Sequence, residues 1–280
     1  MSHVIVVVNG VVDWRPWFPG YDVRQVHLQA SRWSVQDGRL WVVDRTGTHR
    51  PDAIMWRLGA VTPNPMHRAC LDMIRLTGVP CLNSAHTLLR GYDRLGMLVE
   101  LKSSGLPVID FDVVAGSGAL EAQTPRLPAV LKLDNYHGGQ AKALATTEEG
   151  WSDLVSLASP YMGYATIEPF ITYVRDIRCL LVGDRAWAME RRSSGWKANV
   201  ETEHHALIEP VSPWLDWTRQ AAQLLNADTL GLDFLETPEG AFVLLESNDV
   251  PGVRGFPSDV YQAMAQQLID RLQREAKPTR

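Results

Sequence analysis

The chain is short of cysteine, of long apolar runs and of positive charge, and each shortage excludes a class of protein. Cys70, Cys81 and Cys179 are its only cysteines. Their number is odd and no C-x-x-C spacing occurs, so a disulfide framework is not expected and reduced thiols in a cytoplasmic setting are. Cys179 lies in an apolar strand pattern and reads as core. No apolar run is long enough to span a bilayer, so no membrane partner is expected. The N-terminus enters a strand directly, without the basic and apolar regions of a signal peptide. The formal net charge is -5 and the sequence pI about 5.9. That disfavours nucleic acid as the main partner, because phosphate contacts need a basic surface. It leaves ATP open, which needs only a few local cations. The G-x-x-x-x-G-K-[ST] phosphate loop is absent, as are fixed-period repeats and low-complexity blocks.

What remains is ample for a buried core. With 280 residues, 45% of them hydrophobic, the chain suits one multi-lobed unit or two to three small domains. Ten tryptophans are scattered along it and read as core and surface anchors rather than a stacking platform. Val4 to Val8 is a β-branched run ended by Asn9-Gly10, a buried strand. Residues 23–29 and 40–43 read as short strands, with Asp37-Gly38 a hairpin turn between them. Residues 52–57 form another strand. It ends in Arg57 before Leu58-Gly59, where a cation is placed to meet either an anionic ligand or a local acid. Helical spacing covers 66–77 and most of 84–104. Strands alternating with helices indicate an α/β lobe.

Lys132 stands among apolar neighbours in the strand 129–133. A buried ammonium is costly, so it needs an anion nearby. The loop after it holds Gly138 and Gly139, which can bring backbone amides to a phosphate, though such a loop is also found in plain hairpins. Residues 141–145 return as a strand, and 165–171 is an extended stretch with Glu168 at its centre. A hairpin over 175–192 turns at Gly183-Asp184. It carries Arg175 and Arg178 on one strand and Arg191 and Arg192 on the other. Two arginine pairs at one end of a hairpin make either an anion clamp or a solvated end paired with Asp176 and Glu190. Residues 193–213 lack periodicity and read as a long loop. His204 and His205 within it have no further ligands at metal spacing.

The stretch 231–252 reads as two antiparallel strands joined by the turn Thr237-Pro238-Glu239-Gly240. Asp233 lies on the first strand. Glu246 and Asn248, two apart, share a face of the second. Paired across the hairpin, the three could offer hard oxygen ligands to Mg2+, or be ordinary solvent-facing residues.

Several of these motifs, in this order, resemble the ATP-grasp superfamily and within it the RimK-like carboxylate–amine ligases. The carriers are 176–184 with Glu190-Arg191-Arg192, and Gly231-Leu232-Asp233 with Glu246-Ser247-Asn248-Asp249-Val250-Pro251-Gly252. Residues 52–59, Asn83 and Asp93-Arg94 also match. The resemblance implies an α/β chain of α+β lobes in the ATP-grasp fold, with nucleotide between the central and C-terminal lobes. The lobes are expected at 1–82, at 83–167 (a linker helix plus the central lobe) and at 168–280. It implies that Arg94, Lys132, Gly138, Gly139 and Glu168 bind ATP. It implies that Asp233, Glu246 and Asn248 hold Mg2+, and that Arg178, Arg192 and Asn199 stand near the transferred phosphate. The implied activity activates a carboxylate as an acyl phosphate and joins it to the amine of an amino acid, peptide or carrier protein. A phosphotransferase or a nucleotide-binding scaffold without turnover is the alternative. The glycine loop is sparser than in many relatives. Glu201-Thr202-Glu203-His204-His205 replaces their Arg-Gly-Gly, which leaves the acceptor open. A homodimer is the default assembly.

Overall fold

The computed structural model describes residues 2–59, 64–136, 140–193, 195–197 and 202–275. The first lobe opens with β1 (Val4–Val8) and β2 (Asp22–Val26), followed by β3 (Arg32–Gln36), β4 (Arg39–Asp44), β5 (Gly47–His49) and β6 (Ala53–Trp56). Helix α1 (Pro65–Thr77), strand β7 (Cys81–Leu82) and helices α2 (Ala85–Gly91) and α3 (Arg94–Ser103) come next. Strands β2-β1-β6-β7 make a parallel sheet, and β3-β4-β5 a small antiparallel one. Strands β1, β6 and β7 are apolar throughout because both faces are covered, while the edge strand β2 carries Asp22, Arg24 and Gln25. Val6, Val8, Ile54 and Trp56 pack with Cys70, Leu71 and Ile74 of α1. Ile5, Val7, Ala53 and Met55 face the other way.

Asp37-Gly38 does form a hairpin turn, but its first strand is Arg32–Gln36 and not residues 23–29. The segment from Asp22 pairs in parallel with β1 instead. The helical stretch 84–104 is two helices. Asp93 lies between them and caps α3 by accepting from the Gly96 amide, one of the donors a helix start leaves unpaired.

The central lobe holds β8 (Asp112–Val114), α4 (Ser117–Glu121), β9 (Ala129–Leu133), β10 (Lys142–Ala145), α5 (Glu148–Ala158) and β11 (Ala165–Pro169). Its antiparallel sheet runs β10-β9-β11-β8. The outer face is closed by Leu120, Trp151, Val155 and Ala158.

The last lobe comprises β12 (Arg175–Val182), β13 (Arg185–Ser193), β14 (Thr202–Ile208), α6 (Trp214–Leu225), β15 (Thr229–Glu236), β16 (Phe242–Asn248) and α7 (Asp259–Glu275). Strands β14-β13-β12-β15-β16 form one antiparallel sheet. The long loop expected over 193–213 is therefore wrong in part, since Thr202–Ile208 is a strand. It is an edge strand paired only with β13, so no apolar alternation was required of it.

The period of two along this sheet arranges everything that follows. Ile177, Cys179, Leu181, Leu232 and Phe234 face α6 and α3. Asp176, Arg178, Leu180 and Val182 face the other side, in register with Arg191, Met189, Trp187 and Arg185 of β13. The apolar half of that second face, Leu180, Val182 and Met189, packs with Ile5, Val7 and Met55 and with Val260, Met264 and Leu268 of α7. Helix α7 thus covers the first sheet and ties it to the last. The charged half of the same face is left looking across at the central sheet. Among the described residues, no helix is long and apolar enough to cross a membrane.

Candidate active site

Between the central and last sheets lies a solvent-open cleft in two adjoining parts. Both are lined by Lys132, Lys142, Glu168, Leu245 and Glu246. The first narrows to an apolar slot of Ile109, Val130, Phe170, Ile171 and Leu235. Lys132 and Glu168 sit on adjacent strands of the central sheet, and their charges meet at 2.6 Å. Glu168 is only 4% exposed, so the anion that burial of Lys132 demands is this one. Lys142 faces Lys132 directly across β9 and β10. Burial lowers the Lys142 ammonium below its usual range, against the pull of Glu246.

The acids stand on the opposite wall. Asp233 and Glu246 are register partners on β15 and β16, and a bulge follows Asp233. Burial would raise the Glu246 carboxyl. Arg94, Lys142 and Lys132 outweigh it and hold the group below the usual carboxylate range. The Arg94 guanidinium reaches Glu246 at 2.9 Å and donates to the Tyr136 carbonyl at 3.0 Å. Its backbone amide donates to Asn135 Oδ1 at 3.1 Å. The start of α3 is thereby fastened both to the loop after β9 and to the acid.

Asp233 accepts two 2.7 Å bonds from Arg178 and has Arg191 at 3.2 Å. These arginines outweigh the effect of burial and keep its carboxyl low. Arg191 also donates through Nε to Asp176 at 2.8 Å. Burial is the larger influence on Asp176 and pushes it up to about 6.

Strand alternation separates the four arginines read as one clamp. Arg178 and Arg191 lie on the face that carries Asp233, Arg175 and Arg192 on the other. Arg192 bonds Glu190 at 2.7 Å with 67% of its side chain exposed, and Arg175 pairs with Glu236 and Glu190. The structure does not bring Arg192 to the acids, and Arg191 stands there in its place. Gly138, Gly139 and Asn199 lie outside the described residues.

Asn248 follows Glu246 by two on β16, and its buried Nδ2 has no hydrogen-bond partner among the described residues. Among the described residues, no group of three or more His, Cys, Asp or Glu is gathered for a metal. The set here is two carboxylates and an amide. Those hard oxygen donors suit Mg2+, which takes one or two carboxylates and fills its remaining positions with water or phosphate. Lys142 is not singled out by the sequence, and Arg191 and Asp176 enter there only as one of four clamp arginines and a possible partner of them. Only the register of two hairpins places them in the cleft.

A family model described as synapsin, ATP binding domain matches residues 99–225. Solved structures extend the likeness over the whole chain. The ATP-grasp ligase PsnB, complexed with a phosphomimetic variant of its minimal precursor, Mg and ADP, superposes with a TM-score of 0.72. It covers 96% of this chain and 98% of that one at 18% identity. The chain has the ATP-grasp fold. D-alanyl-alanine synthetase A from Vibrio cholerae O1 biovar eltor str. N16961 shares the same ATP-grasp architecture, with a TM-score of 0.71, 11% identity and 98% of each chain covered. In sequence, this ATP-grasp chain is 28% identical over 236 residues to a probable alpha-L-glutamate ligase of Cellvibrio japonicus (strain Ueda107), covering 81% of this chain and 78% of that protein. A probable alpha-L-glutamate ligase of Maridesulfovibrio salexigens is 28% identical over 246 residues, with the same coverage. These relatives agree with the RimK-like resemblance.

Proposed function

We propose that the protein is an ATP- and magnesium-dependent ligase that joins a carboxylate to an amine. One observation carries the reading: three cations, Lys132, Lys142 and Arg94, converge on Glu246 across a cleft whose far wall also bears the paired Asp233 and Arg178. The apolar slot beside Glu168 accepts a planar base, and the cations receive the phosphates. Asp233, Glu246 and Asn248 would hold Mg2+, which supplies charge neutralisation at the phosphoryl oxygens when bound. Gly138, Gly139, Arg192 and Asn199 belong to the same proposal on resemblance alone, as does the division into lobes 1–82, 83–167 and 168–280.

The chemistry follows from what a carboxylate lacks. It is a poor acyl donor, because its oxygen is a poor leaving group. A carboxylate oxygen attacks the γ-phosphorus of ATP, the terminal P–O bond breaks, and ADP departs. The amine nitrogen then attacks the acyl carbon, the C–N bond forms, and inorganic phosphate and a proton leave. Arg178, the lysines and Arg94 offset the charge on the transferred group. Closure of the central lobe over the last one keeps water from the acyl phosphate. The protein's share is positioning and charge. The substrates are amino acids or peptides, which the relatives named as glutamate ligases and the peptide-bound ligase complexes support. A carrier protein is a further acceptor of the same chemistry.

The test is ADP release over a matrix of carboxylates and amines that includes L-glutamate, on wild type and Glu246→Ala. ADP formation that needs both partners, and is lost in the variant, is expected. ADP formation without any amine, ending in a stable phosphorylated product, would overturn the ligase in favour of a phosphotransferase.

A further inference from the structure

The parallel sheet of the first lobe lines neither part of the cleft described above, yet it has a ligand-binding feature of its own. From β1 the chain moves outward to β2, and from β6 it moves the opposite way to β7. The junction between β1 and β6 is therefore a topological switch point, and ligands of open parallel sheets bind outside the carboxyl ends of strands at such points. Arg57 is the first residue past that end of β6. Its amide donates to the Val8 carbonyl at the end of β1 at 3.0 Å, which fixes it at the junction.

Its side chain is half-buried. Among the described residues no carboxylate lies within ion-pair distance of it. Nη2 donates to the Pro251 carbonyl at 2.8 Å, and Cζ sits 5.9 Å from the Trp14 ring. A guanidinium has five N–H donors, so one carbonyl leaves most of its capacity unused. Burial pulls the group down to about 10, and the Tyr261 phenol acts weakly the other way. A buried cation held without an anion is costly, and a substrate that brings the anion removes the cost.

The switch point adjoins the cleft. Pro251-Gly252 lies between the two arginines: Arg57 bonds the Pro251 carbonyl, and a Cβ built on Gly252 would lie 3.6 Å from Arg178 Nη1. That segment is held in place by Asn83, which is 1% exposed. Its Nδ2 donates to the Asp249 carbonyl at 2.6 Å and the Thr229 carbonyl at 2.7 Å, and its Oδ1 accepts from the Thr229 amide at 2.8 Å. The glycine leaves room for backbone or substrate to pass close to Arg178.

We propose that Arg57 anchors a free, non-reacting carboxylate of the amino acid or peptide substrate, in the crevice between the first lobe and the Pro251-Gly252 segment. The proposal rests on the ligase reading and deepens it. A bidentate guanidinium–carboxylate pair fixes one end of the substrate, and the reacting group then extends past Gly252 toward Arg178. Arg57 acts as a binding and specificity residue and takes no part in phosphoryl transfer.

The test measures thermal stability of wild type, Arg57→Gln and Arg57→Lys with Mg·AMPPNP alone, and then with a panel of L-amino acids and their carboxamides. All three proteins are expected to respond alike to Mg·AMPPNP. At least one amino acid should stabilise the wild type further while its amide does not. Arg57→Gln should lose that discrimination, with affinity down about 10- to 100-fold, and Arg57→Lys should recover part of it. Equal amino-acid stabilisation of wild type and Arg57→Gln would overturn the proposal. So would the absence of any amino-acid effect on a wild type that responds to Mg·AMPPNP. A wild type indifferent to Mg·AMPPNP defeats the ligase reading instead, and the amino-acid response without nucleotide then decides the role of Arg57.

Discussion

The Arg178 guanidinium grips the Asp233 carboxylate through two hydrogen bonds of 2.7 Å each, from neighbouring strands of one sheet. Asp233 is 3% exposed, so losing one partner leaves a buried charge short of compensation. Arg191 at 3.2 Å offsets part of that loss. Arg178→Met should therefore cost roughly 3 kcal/mol in urea unfolding. A loss below about 1 kcal/mol would put this pair with exposed ion pairs, which contribute little.

Lys142 faces Lys132 and both act on Glu246. If the two lysines receive phosphates, Lys142→Met should weaken Mg·AMPPNP binding by about tenfold or more, while Lys142→Arg keeps most of it. Calorimetric titration measures this directly. Unchanged affinity in Lys142→Met would restrict phosphate binding to Lys132 and Arg94.

His67 is buried on α1, its Nδ1 has no partner, and burial lowers its pKa. The unfolded chain takes up a proton near pH 6.5 that the folded chain resists. Between those two values the unfolded state binds more protons, so stability falls as pH falls. His67→Phe should flatten the stability profile below about pH 6.5. A profile that keeps its wild-type slope would assign the acid loss to other groups.

The thiols make an alkaline counterpart. Burial pushes Cys70 and Cys179 up to about 11 and Cys81 up to about 12. The thiolate is the reactive form, so the native protein should not react with a disulfide reagent at pH 8, while three thiols should react after unfolding. Above the unfolded value of 9.0 the folded state binds more protons, so stability should fall as pH rises further. Rapid labelling of a native thiol would show that its surroundings open.

Much of the site was legible in the chain. Lys132 in an apolar strand announced a buried anion, and the 231–252 hairpin announced Asp233 opposite Glu246. Both follow from alternation and turn chemistry, which are local. What stayed hidden depended on which strands pair. Glu168 is the partner of Lys132 only because β11 lies beside β9, 36 residues away by number. Edge strand β14 shows no apolar stripe in the sequence, and its pairing with β13 is what makes it a strand.

The sequence by itself determined the local elements, the identity of the acids and cations, and the order of motifs that resembles the ATP-grasp superfamily. Period and turn residues act within a few positions, so they can be read from the chain alone. Tertiary structure decided which charges meet. Register set Lys142 opposite Lys132, strand parity chose Arg178 and Arg191 over Arg175 and Arg192, and the switch point between β1 and β6 set Arg57 beside Pro251. An ion pair depends on distance through space, and only the packing of three sheets brings these residues within reach of one another.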